Sequence, residues 1–185
     1  MKRFFVCLLI CGLAQMGMAQ EKLSKVKLEK EVEVRIPSSF TLMTPQEVVS
    51  RYLSNSTPLA VYGNERRTTD FGVSKNPSRW TAKDSEILKD FYKASILSAY
   101  TKVKFYKEEL VTYNGQKFIV FEFVSSFKDE NSNAIATRSA VNKYTHIMYG
   151  LRNGNLYVFN FNAPAAEKEY WQKTVDKMMQ SVKFL

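Results

Sequence analysis

One histidine, two cysteines and 18 acidic residues are the groups with which this 185-residue chain could do acid–base, nucleophilic or metal chemistry. Both cysteines, Cys7 and Cys11, lie in a short apolar stretch at the start. The histidine, His146, stands alone in an apolar segment around Tyr144 to Met148. An imidazole becomes a ligand or a base only with partners, and no second His or Cys is at hand to build the common zinc sets. A serine–histidine hydrolase would need its nucleophile on a strand-to-helix turn, and the Gly-x-Ser-x-Gly context of that turn is absent. No glycine loop is present to cradle phosphate. Asp129 and Glu130, beside Asn131 and Asn133, lack the glycine and trailing glutamate of a calcium loop and read as a solvated turn. Asp70, Asp84, Asp90 and Asp176 fall where caps or wet faces account for them. The expectation is a chain with no enzymatic activity, no metal and no cofactor.

The elements that would position these groups follow from periodicity. From Val26 to Ile36, apolar Val26, Leu28, Val32, Val34 and Ile36 alternate with charged residues, and only Lys30 breaks the apolar row. That period of two predicts one strand with a wet face, ended by Pro37. Thr44-Pro45-Gln46-Glu47 carries a capping box that starts a helix to about Ser54, with Met43 and Val48 as a hydrophobic staple and Val48, Val49, Tyr52 and Leu53 buried. Strands are expected at Leu59 to Gly63 and Arg66 to Ser74. Asp84 is read as the cap of a helix to about Tyr100, burying Ile87, Leu88, Phe91, Ser95 and Ala99.

The second half is strand-rich. Asn114-Gly115 and Asn153-Gly154 each supply the positive φ angles of a tight hairpin turn, joining Val103 to Tyr113 with Gln116 to Phe127 and Ala136 to Arg152 with Asn155 to Asn162. Phe118, Val120 and Val124 face one side while Ile119, Phe121 and Phe123 face the other, so both faces of the sheet must be covered. A last helix, from about Pro164 to Val182, offers Trp171, Val175, Met178, Met179 and Val182 on one face. The fold class that follows is α+β: an antiparallel sheet of about six to seven strands covered by helices on both faces.

Residues 1–19 read as a signal peptide, with basic Lys2 and Arg3, an apolar run from Phe4 to Ala14, and small Gly17 and Ala19 before a cut at Gln20. Bulky Ile10 before Cys11 argues against lipid attachment. Residues 20–185 then form a single exported domain, periplasmic or secreted, with both cysteines removed and no later apolar run to anchor it in a membrane. The formal charge of +9 falls to +7 once Lys2 and Arg3 leave. A basic surface of this kind favours anionic envelope components or acidic proteins, and without a reading motif it does not point to nucleic acid.

A strand leading into Ile36-Pro37 and Phe40, the two Asn-Gly hairpins, the aromatic strand from Tyr157 to Phe161, and a closing helix ending in Met178-Met179-Gln180-Ser181-Val182-Lys183-Phe184 together resemble the PsbP-like α/β/α sandwich. That family includes the extrinsic photosystem subunit, relatives that bind a small GTPase, and bacterial chaperones for secreted effectors. The resemblance implies an antiparallel sheet between helical layers and partner binding rather than catalysis, and it transfers no catalytic residue. The leading reading is an exported interaction module docking an unknown protein or anionic envelope component. A carrier for a small apolar ligand comes second and a hydrolase third. The partner surface is placed on Tyr62, Arg66, Arg67, Arg79 and Trp80, because aromatic and Arg side chains dominate interface hot spots. Reversing Arg66 and Arg67 to Glu is expected to leave the melting temperature unchanged.

Overall fold

A computed structural model describes residues 21–51, 58–127 and 141–185. The expected leader, Tyr52 and Leu53 of the first helix, and the turn carrying Asp129 and Glu130 lie outside the described residues. The elements run β1 (Leu23–Leu28), β2 (Val32–Pro37), β3 (Thr41–Leu42), α1 (Pro45–Arg51), β4 (Ala60–Gly63), β5 (Asp70–Pro77), α2 (Ser85–Ala99), β6 (Lys102–Tyr113), β7 (Gln116–Phe127), β8 (Val141–Arg152), β9 (Asn155–Pro164), α3 (Lys168–Gln180) and β10 (Lys183–Phe184). A seven-stranded antiparallel sheet has the order β3-β4-β5-β9-β8-β7-β6, and a smaller sheet has the order β1-β2-β10.

The long hairpins form where the Asn-Gly turns predict them: φ is 50° at Asn114, 77° at Gly115, 49° at Asn153 and 70° at Gly154. The alternating segment from Val26 to Ile36 is not one strand. It folds back as the β1–β2 hairpin, with Leu28 opposite Val32 and positive φ at Glu29 and Lys30. The residue that broke the apolar row is thus a turn residue, and the turn hides from sequence because neither Asn nor Gly marks it. Likewise, Arg66 to Thr69 is turn rather than strand, and β5 begins at Asp70.

Alternation along β7, β8 and β9 sends side chains to two separate cores. On one face Phe118, Val120, Tyr144, Met148, Phe159 and Phe161 meet Trp171, Val175 and Met178 of α3 together with Val32, Val34 and Ile36 of the small sheet. That side is covered by a helix and the three-stranded sheet side by side, rather than by helix alone. Gly150 leaves room there for the Phe118 ring, since a Cβ would stand 2.6 Å from its Cε1. The hairpin turn of the small sheet is pinned to the large one: Lys75 Nζ donates to Glu31 Oε1 at 2.6 Å and Tyr157 Oη to Glu31 Oε2 at 2.7 Å.

On the other face Leu88 and Ile96 of α2 pack against Ile119, Phe121, Phe123, Tyr149 and Leu151, and the Tyr92 ring stacks on Tyr149 at 3.9 Å. The stripe expected to be buried on this helix is rotated. Leu88 is buried, but Ile87 is 62% and Phe91 61% exposed, and Ser95 and Ala99 also face out. Asp84 does not cap α2 by itself: Thr81 caps the single 3₁₀ turn before it, with the Asp84 carboxylate accepting from the Thr81 N–H at 2.8 Å. The capping box of α1 forms as expected, from Thr44 N–H to Glu47 Oε2 at 2.7 Å, yet Val49 is exposed rather than buried.

Candidate functional site

Under α3, on the large sheet, four ionisable side chains from four elements converge. Glu122 of β7 is fully buried; its Oε1 accepts from Gln172 Nε2 of α3 at 2.8 Å and from the Tyr144 hydroxyl of β8 at 3.2 Å. Lys107 of β6 reaches in beside a break in the β6–β7 register, where Tyr106 is the extra residue. Its ammonium stands 2.5 Å from Asp176 Oδ1 and 3.4 Å from Glu122 Oε2. His146 of β8 is buried, and its Nδ1, 3.9 Å from Asp176 Oδ1, has no hydrogen-bond partner among the described residues.

Burial governs how these groups titrate. Desolvation pushes the His146 imidazole down to about 4, with Asp176 opposing and Lys107 adding to the shift. Desolvation, followed by the Glu122 carboxylate, drives the Tyr144 phenol strongly upward. For Lys107, desolvation is the largest influence and works against charge, but Asp176 and Glu122 together hold its pKa above the usual value. The cluster is thus one ammonium held by two carboxylates beside a neutral imidazole.

The cluster's ligand atoms from Glu122, His146 and Asp176 lie within 4.8 Å of one another, close enough for a divalent cation to bridge. However, the Lys107 ammonium already supplies positive charge there, and its three N–H groups match the acceptors that a metal would use. The groups that meet here are an ammonium, two carboxyls, an imidazole and a phenol. Glu122 escaped the sequence reading, although it left a trace. The row Phe118, Val120, Val124 skips position 122, and an acid in a strand buried on both faces must find partners inside. Asp176 was expected on a wet helix face and instead turns half-buried toward Lys107. Asp70 is buried too, accepting from Asn162 Nδ2 at 2.9 Å.

The residues named for partner binding do not gather into one patch. Arg66 and Arg67 lie in the β4–β5 turn, whereas Arg79 and Trp80 follow the far end of β5, eight residues away along an extended strand. At about 3.3 Å per residue that separates the two pairs by roughly 25 Å. Tyr62 is half-buried against the core, while Arg66, Arg79 and Trp80 are exposed. Arg67 is tied into the turn. It adopts φ 54°, its Nε donates to Glu47 Oε1 at 2.9 Å, and its Nη1 donates to Thr41 Oγ1 at 2.8 Å and to the Gly63 carbonyl at 3.0 Å. The two arginines are therefore not equivalent. Arg66→Glu should leave the melting temperature within about a degree of the parent, whereas Arg67→Glu should lower it by roughly 5 °C, the effect of about 1–2 kcal/mol of charge-assisted bonds in a domain this size. Equal thermal shifts in the two variants would refute this role for Arg67.

No family model and no curated protein matches the sequence. Solved structures do match the fold. The cyanobacterial PsbP (CyanoP) of Synechocystis sp. PCC 6803 superposes with a TM-score of 0.62 at 11% identity, over 91% of this chain and 96% of that one. The Ran-binding protein Mog1p of Saccharomyces cerevisiae superposes with a TM-score of 0.55 at 13% identity, over 89% of this chain and 96% of that one. Identities this low carry fold and nothing else, and the fold of the chain is the PsbP-like α+β fold.

Proposed function

We propose that this chain is an exported, non-catalytic interaction module that docks a protein of the cell envelope through the outer face of α2. The observation that carries the reading is the exposure of large apolar side chains on a helix whose other face is already committed to the core. Ile87 and Phe91 are one turn apart and 62% and 61% exposed, and Leu97 is 50% exposed. Trp80, 48% exposed, lies just before the turn that starts the helix, next to exposed Arg79. Apolar and aromatic groups held on a rigid element in this way, with an arginine beside them, have the composition of an interface hot spot. Of the residues singled out in the sequence, Arg79 and Trp80 are exposed just ahead of this helix in the chain, and Arg66 lies at the other end of β5.

Two further observations support docking over the alternatives. Two clefts among the described residues, of about 420 and 150 Å3, are open and lined mainly by polar side chains, so neither of them is the enclosed apolar pocket that a carrier requires. The fold is shared with a protein named for binding Ran, which is consistent with partner binding on this scaffold. The test is capture from the envelope fraction of the native host, comparing the parent with the Ile87→Ser/Phe91→Ser variant. Both side chains are exposed, so the melting temperature should move by no more than a degree or two. The partner that the parent retains should fall by at least tenfold, since truncating a hot-spot aromatic costs about 2 kcal/mol or more. Equal capture by a variant that remains folded would refute the assignment.

A further inference from the structure

The opposite side of the sandwich carries a different surface. The outward row of the small sheet holds Lys25 and Lys27 on β1, Glu33 and Arg35 on β2, and Lys183 on β10. Beside it, Lys173 and Lys177 project from the exposed side of α3. Six cations therefore share one broad face with Glu33 near its centre and Glu21 and Glu169 at its margin. Lys25 and Arg35 are register partners, and like charges set directly opposite one another are unfavourable. Lys25 relieves this by reaching diagonally to Glu33 at 2.9 Å. The Arg35 guanidinium enters no ion pair among the described residues, and Lys27 and Lys183 act on Glu33 without a contact ion pair.

Arg35, Lys177 and Lys183 open onto a cleft of about 420 Å3, also lined by Leu23, Asn114, Gln180, Ser181 and Glu33, whose carboxylate is paired with Lys25. Its walls are fixed. Asn114 Nδ2 of the β6–β7 turn donates to the Val182 carbonyl at 2.8 Å and to the Gln180 carbonyl at 3.2 Å, and Ser181 Oγ accepts from the Arg35 N–H at 2.8 Å. At the margin nearest the start of β1, the 40%-exposed Tyr170 donates to Glu21 Oε1 at 2.9 Å.

We propose that this face docks on an anionic phospholipid bilayer, with the Arg35–Lys183 cleft taking one phosphate headgroup. A bilayer presents a plane of negative charge, and the cations here are spread across three strands and a helix rather than along the single line that an extended polyanion would follow. Leu23 and Tyr170 add the apolar and phenolic groups that suit the boundary between headgroups and acyl chains. No described helix is long and apolar enough to cross a membrane. Docking here leaves α2, on the far side of the large sheet, free for a protein partner.

The experiment is co-sedimentation of the purified protein with phosphatidylcholine vesicles, with and without about one third phosphatidylglycerol. The parent should sediment with the anionic vesicles and not with the neutral ones, and binding should be lost between roughly 0.05 and 0.5 M salt as the surface charge is screened. Each basic side chain near an anionic surface strengthens partition about fivefold, so Lys27→Gln/Arg35→Gln/Lys183→Gln should bind on the order of a hundredfold more weakly. All three side chains are exposed, and an unchanged melting temperature confirms that the variant folds. The Ile87→Ser/Phe91→Ser variant should partition like the parent, which separates this surface from the protein-docking one. Undiminished partition of the triple variant, or no sedimentation of the parent with anionic vesicles, would overturn the proposal. So would tighter binding to soluble polyglutamate than to vesicles at equal charge, which would reassign the face to an acidic protein.

Discussion

Replacing Lys107 with Met should destabilise the protein by about 3 kcal/mol and lower its melting temperature by roughly 10 °C. The substitution keeps most of the side chain's length and its apolar stem, so packing changes little. What it removes is the charge between Glu122, which is fully buried, and Asp176. Glu122 would then have only the neutral Tyr144 hydroxyl and the Gln172 amide for company. Stripping one partner from a buried ion pair costs about 3–5 kcal/mol, because the other charge stays out of water without compensation. The low end applies here, since the Lys107 and Asp176 side chains keep 30% and 29% of their exposure.

The sign of the effect is tested by a second substitution. Glu122→Gln removes the stranded charge while keeping the shape and an oxygen to accept from Tyr144 and Gln172. In the Lys107→Met background it should therefore restore a large part of the lost stability, although alone it should be destabilising. Coupling of this kind between contacting residues is what a double-mutant cycle reads. If Lys107→Met melts within a degree of the parent, or if the two substitutions simply add, the ammonium is not holding the cluster together.

How much of this was legible beforehand depended on whether a residue's role was local. The Asn-Gly hairpins were visible because the turn's φ angles demand those residues, and the two-sided covering of the sheet was visible because β7 and β9 carry apolar groups at successive positions. The β1–β2 turn was not visible, because Glu29 and Lys30 take positive φ without the usual signature and the alternation runs through them. The rotated face of α2 was hidden because Ile87, Leu88, Phe91, Tyr92 and Ile96 leave apolar groups around much of the helix, and only packing decides which of them meet Tyr149 and Phe121. The same holds for the arginines. Adjacent in sequence and identical in type, Arg66 is exposed while Arg67 reaches Glu47 across 20 positions. The buried cluster draws on β6, β7, β8 and α3, so only its one anomaly, an acid between Phe121 and Phe123, could be seen in any single element.

That cluster also gives the protein a pH dependence whose direction can be worked out. The folded-state pKa of His146 lies near 4, chiefly because burial disfavours the imidazolium, against about 6.5 in the unfolded chain. Above pH 6.5 neither state holds the extra proton, and the contribution of His146 to stability is constant. Between about 6.5 and 4 the unfolded chain takes up the proton and the folded chain does not, so stability falls as the solution is acidified. Below about 4 both states are protonated and the loss is complete. A shift of this size corresponds to a loss on the order of 3 kcal/mol across the window. Three partly exposed carboxylates with lowered pKa, Glu31, Glu33 and Glu47, stabilise the fold above their unfolded value of about 4.5 and lose that contribution as pH falls through their still lower folded values. Their window therefore lies largely below the histidine's. Urea unfolding of the parent and of His146→Leu from pH 7.5 to 4 isolates the effect. The difference in stability between the two should shift toward the variant by about 3 kcal/mol as pH falls from 6.5 to 4, whatever the variant's offset at neutral pH. Parallel profiles would mean that the imidazole takes up its proton as freely in the fold as in water, and that α3 does not seal the cluster.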